Sequence, residues 1–274
     1  MILVTCFDTG VLSIDYTQIL VLEVVDVKPA GKFGIDDPWV PWMWIGIAVL
    51  TAGVAVGFSV WDAGWWTWLL AWYFGICAVI NLIGAGLYWN ASLRGKFVIW
   101  YDVLRRTQLR SGAQALDLGC GRGAVSIMIA SQYPKADVTG IDLWRTVDQS
   151  GNSPETAMHN ARVNGVEHRV TFETGDMTDL PYADSRFDLV VASLSIHNIP
   201  TAEGRSTALQ EAVRVLAPGG QIIIIDIQRG REYADELRIL GLRVDGPKRL
   251  GWRSWWTGPW MAASLICARN ETSA

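Results

Sequence analysis

Ala115-Leu116-Asp117-Leu118-Gly119-Cys120-Gly121-Arg122-Gly123 is the stretch whose reading decides the fold. It begins as an apolar strand, carries an acidic residue near its end, and runs into three alternating glycines. Glycines at 119, 121 and 123 clear side chains from the turn, so a ligand can touch the backbone there. Ala124-Val125-Ser126-Ile127-Met128-Ile129-Ala130 follows and reads as a helix whose first amides point at the same ligand. Val138-Thr139-Gly140-Ile141-Asp142 then reads as a second strand ending in a carboxylate. An acid about 20 residues after such glycines is placed to bind ribose hydroxyls.

The spacing is Gly-x-Gly-x-Gly with Asp117 two residues ahead, whereas the dinucleotide fingerprint is Gly-x-Gly-x-x-Gly. With these motifs, residues 96–269 resemble the class I S-adenosylmethionine (SAM) dependent methyltransferases, of the type 11 kind. Phe187-Asp188-Leu189-Val190-Val191-Ala192 matches that family's fourth strand, and Leu216-Ala217-Pro218-Gly219-Gly220 the turn before its fifth. The resemblance implies that Asp117, Gly119, Cys120, Gly121 and Gly123 lie along the methionine part of SAM. It implies that Asp142 binds the ribose, and that Asp176, after the strand Arg169-Val170-Thr171-Phe172-Glu173, meets the adenine amine. Leu143, Met177 and Ser193 complete the implied cofactor-binding set.

Alternating strand and helix signals predict a parallel α/β sheet. Helices are expected at 123–132, 153–164, 203–216 and 230–240. Strands are expected at 113–118, 136–142, 168–173, 187–193, 219–227, 241–247 and 260–268. By resemblance the fold is a Rossmann-like, seven-stranded sheet in the order 3-2-1-4-5-7-6 with the last strand antiparallel.

The chain ahead of this domain has a different composition. The 274 residues include 15 Trp, and the mean hydropathy is positive. Pro38 to Trp61 and Trp65 to Trp89 each contain no charged residue. A helix of about 24 residues rises roughly 36 Å, enough for a hydrocarbon core of about 30 Å. The short link Asp62-Ala63-Gly64 requires an antiparallel pair. Trp39, Trp42 and Trp44, then Trp61, Trp65, Trp66 and Trp68, then Tyr88 and Trp89 fall where an aromatic belt would lie. Small residues in both runs would let helices approach closely, within the pair or between copies, and Asn81 is expected to bond across the pair or to another chain. Lys28 and Lys32 precede the pair, and Arg94, Lys96, Arg105, Arg106 and Arg110 follow it. Both flanks, and the methyltransferase domain, are therefore expected in the cytoplasm.

The expected organisation is a segment 1–37 of no assigned role, a transmembrane hairpin 38–90, an amphipathic link helix 91–111 and a methyltransferase domain 112–274. Ile19 to Val27 reads as strand-like. The link helix, with Phe97, Trp100, Tyr101, Leu104 and Leu109 on one side, is expected at the bilayer surface or packed on the cofactor site. A formal net charge of −4 argues against a general nucleic-acid binder.

His197 follows the fourth strand, where the family borders the transferred methyl group, so it is the candidate base for an acceptor that must lose a proton. The segment Leu250 to Trp260 carries four tryptophans, and is expected either to face lipid headgroups or a hydrophobic substrate entrance, or to pack against the link helix or the hairpin. The four cysteines show neither metal spacing nor a disulfide framework, and no metal is expected. The reading is an integral membrane enzyme moving a methyl group from SAM to a small, lipophilic acceptor, with membrane lipid as its other partner. Two alternatives are a soluble acceptor with the anchor serving only for location, and a non-catalytic SAM-binding subunit of a membrane assembly.

Overall fold

In the computed structural model the described residues are 27–61, 63–146, 149 and 151–271. Most of the strand-like stretch expected at 19–27 lies outside them. Two long helices, α1 (Val40–Val60) and α2 (Trp65–Asn90), come first. Only Pro41 and Ala48 of α1 are buried. The pair is antiparallel, since Trp42 meets Trp89, Phe58 stacks on Phe74 and Trp61 meets Trp66. Their mean hydropathies are 2.0 for α1 and 1.8 for the helical run that begins with α2. Asn81 does not bond across the pair: its amide donates to the Cys77 carbonyl one turn back at 2.7 Å.

The expected link helix is not separate. α2 continues through one π-helical turn, Ala91–Gly95, into α3 (Lys96–Leu104). It stops at Leu104 rather than 111, where the Tyr133 hydroxyl donates to the carbonyls of Leu104 and Thr107. Gly95 sits against the Arg253 carbonyl, so close that a Cβ there would lie 1.9 Å from it. Only glycine allows this approach of helix and loop.

The remaining elements are β1 (Gln114–Leu118), α4 (Ala124–Gln132), β2 (Asp137–Asp142), α5 (Pro154–Val163), β3 (Val170–Thr174), β4 (Phe187–Ser193), α6 (Ala202–Arg214), β5 (Leu216–Asp226), α7 (Gly230–Ile239), β6 (Arg243–Arg249) and β7 (Ser264–Arg269). The sheet order is β3-β2-β1-β4-β5-β7-β6, with β7 antiparallel to both neighbours, as expected. Ser153 and Thr201 cap α5 and α6 by accepting from the amides of Thr156 and Gly204. Side chains alternate along β5. Ile223 and Ile225 face a core with Phe97, Trp100 and Ile127, while Ile222 and Ile224 face a second core with Leu209 and Tyr233. The continuation of α2 is thus built into one of the two layers that cover the sheet.

Candidate cofactor and acceptor site

All three glycines after β1 have positive φ, at 68°, 52° and 77°. Space requires them as well. A Cβ at Gly119 would lie 2.4 Å from the Ser195 side chain, one at Gly121 2.7 Å from Gln149 Oε1, and one at Gly123 2.5 Å from the Phe172 ring. Gly119 and Cys120 donate their amides to the Ile141 carbonyl, which locks the turn to β2.

Three expected acids converge beyond the carboxyl ends of the parallel strands. Asp142 ends β2. Its Oδ2 accepts the Gly121 amide at 2.8 Å, and its Oδ1 accepts from the Trp144 amide at 2.6 Å and Asn152 Nδ2 at 3.1 Å. Asp176 accepts from both the amide and the hydroxyl of Thr178, each at 2.8 Å. Asp117, on β1, is buried, and its Oδ2 accepts from the Ser126 hydroxyl at 2.6 Å and the Ser126 amide at 3.0 Å. Burial pushes the Asp117 carboxyl up to about 7, against the pull of the Ser126 bonds. Burial and the nearby Asp117 and Asp142 charges also push the Cys120 thiol up. Cys120 packs against Gly140, where a Cβ would lie 2.8 Å from its sulfur, so it is a filler of the turn.

These groups surround a cavity of about 240 Å³. Asp117, Gly119, Cys120, Gly121, Asp142, Leu143, Asp176, Met177 and Ser193 all line it. Gly123 is not in the wall; it is the left-handed residue at the start of α4. His197 is not in the wall either, although its neighbours Ser195 and Asn198 are. Its Nδ1 is turned onto Asp226 Oδ1 at 2.6 Å, and its amide donates to Asp226 Oδ2 at 3.2 Å. The pair clamps the short 3-10 turn Ile196–Asn198 to the end of β5.

Much of the rest of the wall was not assigned from sequence, although the loop carrying Asn152 and the segment after β4 lie where they could meet cofactor or substrate. Asp36, Lys96, Phe97 and Trp100 close it from the side of the helical pair, and Gln149 and Asn152 from the loop after β2. The apolar spacing of 97, 100 and 104 carried the signal for α3, one of whose two expected places was the cofactor site. Nothing local marked Asp36. The tryptophan-rich loop divides. Trp256 is 4% exposed and packs edge-on against Tyr88 at 5.0 Å, whereas Trp252 and Trp260 are 51% and 65% exposed. Tyr88, Ala91 and Trp256, with Ile35, Leu194 and Ile227 against them, form an apolar cluster beside the cavity residue Leu194.

SAM fits this donor set. It is a nucleoside joined through a sulfonium to an amino acid, so it needs acceptors for ribose and adenine and anionic groups near its cations. Asp142 and Asp176 supply the first, and Asp117 Oδ1 is buried in the cavity wall without a hydrogen-bond partner. The glycine turn leaves the backbone bare where a side chain would fill the cradle.

Residues 115–220 match the protein family described as a methyltransferase domain. The 27-O-demethylrifamycin SV methyltransferase of Amycolatopsis mediterranei is 38% identical over 118 residues, 43% of this chain and 40% of that protein. The demethylmenaquinone methyltransferase of Lactobacillus johnsonii is 29% identical over 184 residues, 62% of this chain and 68% of that protein. The chain spans less than half the length of the first of these relatives. The solved structure of a SAM-dependent methyltransferase from Aquifex aeolicus superposes with a TM-score of 0.50 at 17% identity, over 70% of this chain and 97% of that one, a likeness of fold alone.

Proposed function

We propose that this chain, whose residues 115–220 form a class I SAM-dependent methyltransferase domain, is held in a bilayer by residues 38–90 and methylates a small, lipophilic acceptor. One observation carries the membrane reading. The helical run from Trp65 to Leu104 is continuous, and its far end, Lys96, Phe97 and Trp100, is a wall of the cofactor cavity. A helix with exposed Trp72, Ile76, Val79 and Ile83 needs an apolar medium around it. A domain built on the end of that helix sits at the surface of that medium. The relatives named for a demethylmenaquinone and a demethylrifamycin support a small-molecule acceptor.

SAM supplies a methyl group on a sulfonium, which a nucleophile can take directly. The protein's part is placement, which can supply most of the rate. Asp142, already fixed by the Gly121 amide, receives the ribose hydroxyls, and Asp176, fixed by Thr178, the adenine amine. Phe97 and Trp100 keep water from the amino-acid side. Leu194 and the cluster around Tyr88 and Trp256 offer the acceptor an apolar approach from the helical pair. His197 is the proposed base for an acceptor that must lose a proton. Its support is the Asp226 carboxylate, which holds and orients the imidazole through Nδ1 at 2.6 Å. A pH–rate profile of His197→Gln decides that role: a base loses its alkaline-rising limb, whereas a clamp for the turn keeps the limb and lowers the plateau.

Incubating the full chain in native membranes with methyl-labelled SAM tests the main proposal. Label should enter a small molecule that partitions into organic solvent. Label recovered only in water-soluble products would favour the soluble-acceptor alternative, and none at all would favour the non-catalytic one.

A further inference from the structure

Asp36 and Lys96 bracket the helical pair in sequence and meet in the cavity wall. Lys96 Nζ lies 2.7 Å from Asp36 Oδ2, with their side chains 11% and 20% exposed. Asp36 is gripped by one face of the second helix. The Ser92 hydroxyl donates to its carboxylate at 2.9 Å, and the Tyr88 hydroxyl to its carbonyl at 3.0 Å. Tyr88, Ser92 and Lys96 are spaced four residues apart, as one helix face requires. Asp36 Oδ1 in turn accepts from Gln149 Nε2 at 3.2 Å, and Gln149 Oε1 accepts the Arg122 amide in the glycine turn at 3.1 Å.

The order of groups along the sheet edge sets what lies beside Lys96. Asp176 follows β3, Asp142 ends β2, the glycine turn follows β1, and Ser193 ends β4. A nucleoside held by Asp176 and Asp142 points its amino-acid end toward β1 and β4. There Trp100 Nε1 donates to Ser193 Oγ at 2.8 Å, and Lys96 is one helical turn back from Trp100 on α3. The amino-acid end carries a carboxylate, which Asp36, Asp117, Asp142 and Asp176 would all repel. Among the described residues the cations of the wall are Lys96, Arg122 and Arg145. Arg122 is bonded to the Lys32 carbonyl, and Arg145 is exposed in the loop beyond the ribose acid. An ammonium has three donors, and Asp36 takes one.

We propose that Lys96 binds the α-carboxylate of the cofactor's amino-acid end, with Asp36 as the positioning residue that holds the ammonium there. This rests on the SAM reading of the site. The carboxylate-binding cation is then delivered by the end of the membrane helix, not by the methyltransferase domain, and both flanks of the helical pair must be seated for full affinity.

The test compares two ligands on the full chain in detergent by calorimetry. S-adenosylhomocysteine keeps the amino-acid end, and 5′-methylthioadenosine lacks it. Lys96→Met should weaken S-adenosylhomocysteine at least about tenfold, as expected for a lost charged hydrogen bond, and leave 5′-methylthioadenosine within about twofold. Lys96→Arg should restore most of the loss. The double variant Asp36→Asn, Lys96→Met leaves no half-buried charge behind and should show the same selective loss. Equal weakening of both ligands, or of neither, would overturn the proposal. A wild-type chain that binds neither nucleoside would overturn the SAM reading beneath it.

Discussion

Trp100 donates its indole N–H to Ser193 Oγ across 2.8 Å, joining the helix that continues from the apolar pair to the end of β4. The ring is buried in the core shared with Phe97 and Ile127. Trp100→Phe keeps most of that packing and removes the donor, so it should cost about 1 kcal/mol of stability. Chemical denaturation of the full chain in detergent measures this. The same variant should lower kcat/KM, because Ser193 lines the cavity; unchanged kinetics would mean that the bond serves only the fold.

Asp142 both organises the glycine turn and faces the cavity. Asp142→Ala should weaken S-adenosylhomocysteine by about 1–3 kcal/mol, the range for hydrogen bonds to charged groups and their loss. Gly121→Val should do at least as much, since its φ of 52° suits no β-branched residue and its Cβ would strike Gln149. Titration that finds wild-type affinity in both variants would reject the assigned site.

Asp117 gives the site a pH dependence with a definite sign. Its carboxyl is raised from 3.8 to about 7 by burial, so the folded protein without ligand holds a proton there that the unfolded chain releases. Its contribution to stability is therefore full below about pH 4 and is lost as pH rises through about 7. Asp117→Asn should flatten the stability profile over that window. SAM, with a net positive charge, favours the ionised carboxylate, so its affinity should rise from pH 6 to 8, and Asp117→Asn should abolish the rise.

The tryptophans of the β6–β7 loop should separate by burial. Trp256→Ser removes a ring packed on Tyr88 and should destabilise the protein by about 3–5 kcal/mol. The double variant Trp252→Ser, Trp260→Ser alters exposed rings. It should leave the melting temperature and SAM affinity unchanged while raising the apparent KM for a bilayer-embedded acceptor. A raised KM is the decisive readout; loss of SAM affinity in that double variant would assign the loop to the fold instead.

Residues 38–90 are proposed to span the bilayer with both flanks cytoplasmic. A cysteine introduced at Ala63, between the two long helices, should react with an impermeant reagent from outside intact cells, and one at Ser111 should not. Release of the chain by alkaline carbonate would refute the anchor.

Much of the fold was legible because its signals are local. The run Ala115 to Gly123 specifies a strand, a bare turn and a helix start through β propensity and positive φ, and Asp142 follows from strand length and spacing. The sheet order came with the resemblance, and each strand expected from the sequence formed within four residues of its expected ends. The two apolar helices are legible for the same reason, since hydropathy is a sum over neighbours in the chain. The wall made by Asp36, Lys96 and Trp100 was not. Asp36 and Lys96 lie 60 residues apart, and no pattern within either segment records that a hairpin returns one to the other. His197 shows the converse: its position after β4 was legible, but only the tertiary structure brings Asp226, at the end of β5, against its Nδ1. The sequence alone determined the glycine turn, the acids at the strand ends and the apolar pair, because each depends on residues close in the chain. The tertiary structure decided which distant side chains close the site, because ion pairs, burial and ring packing form only once the chain has brought them together.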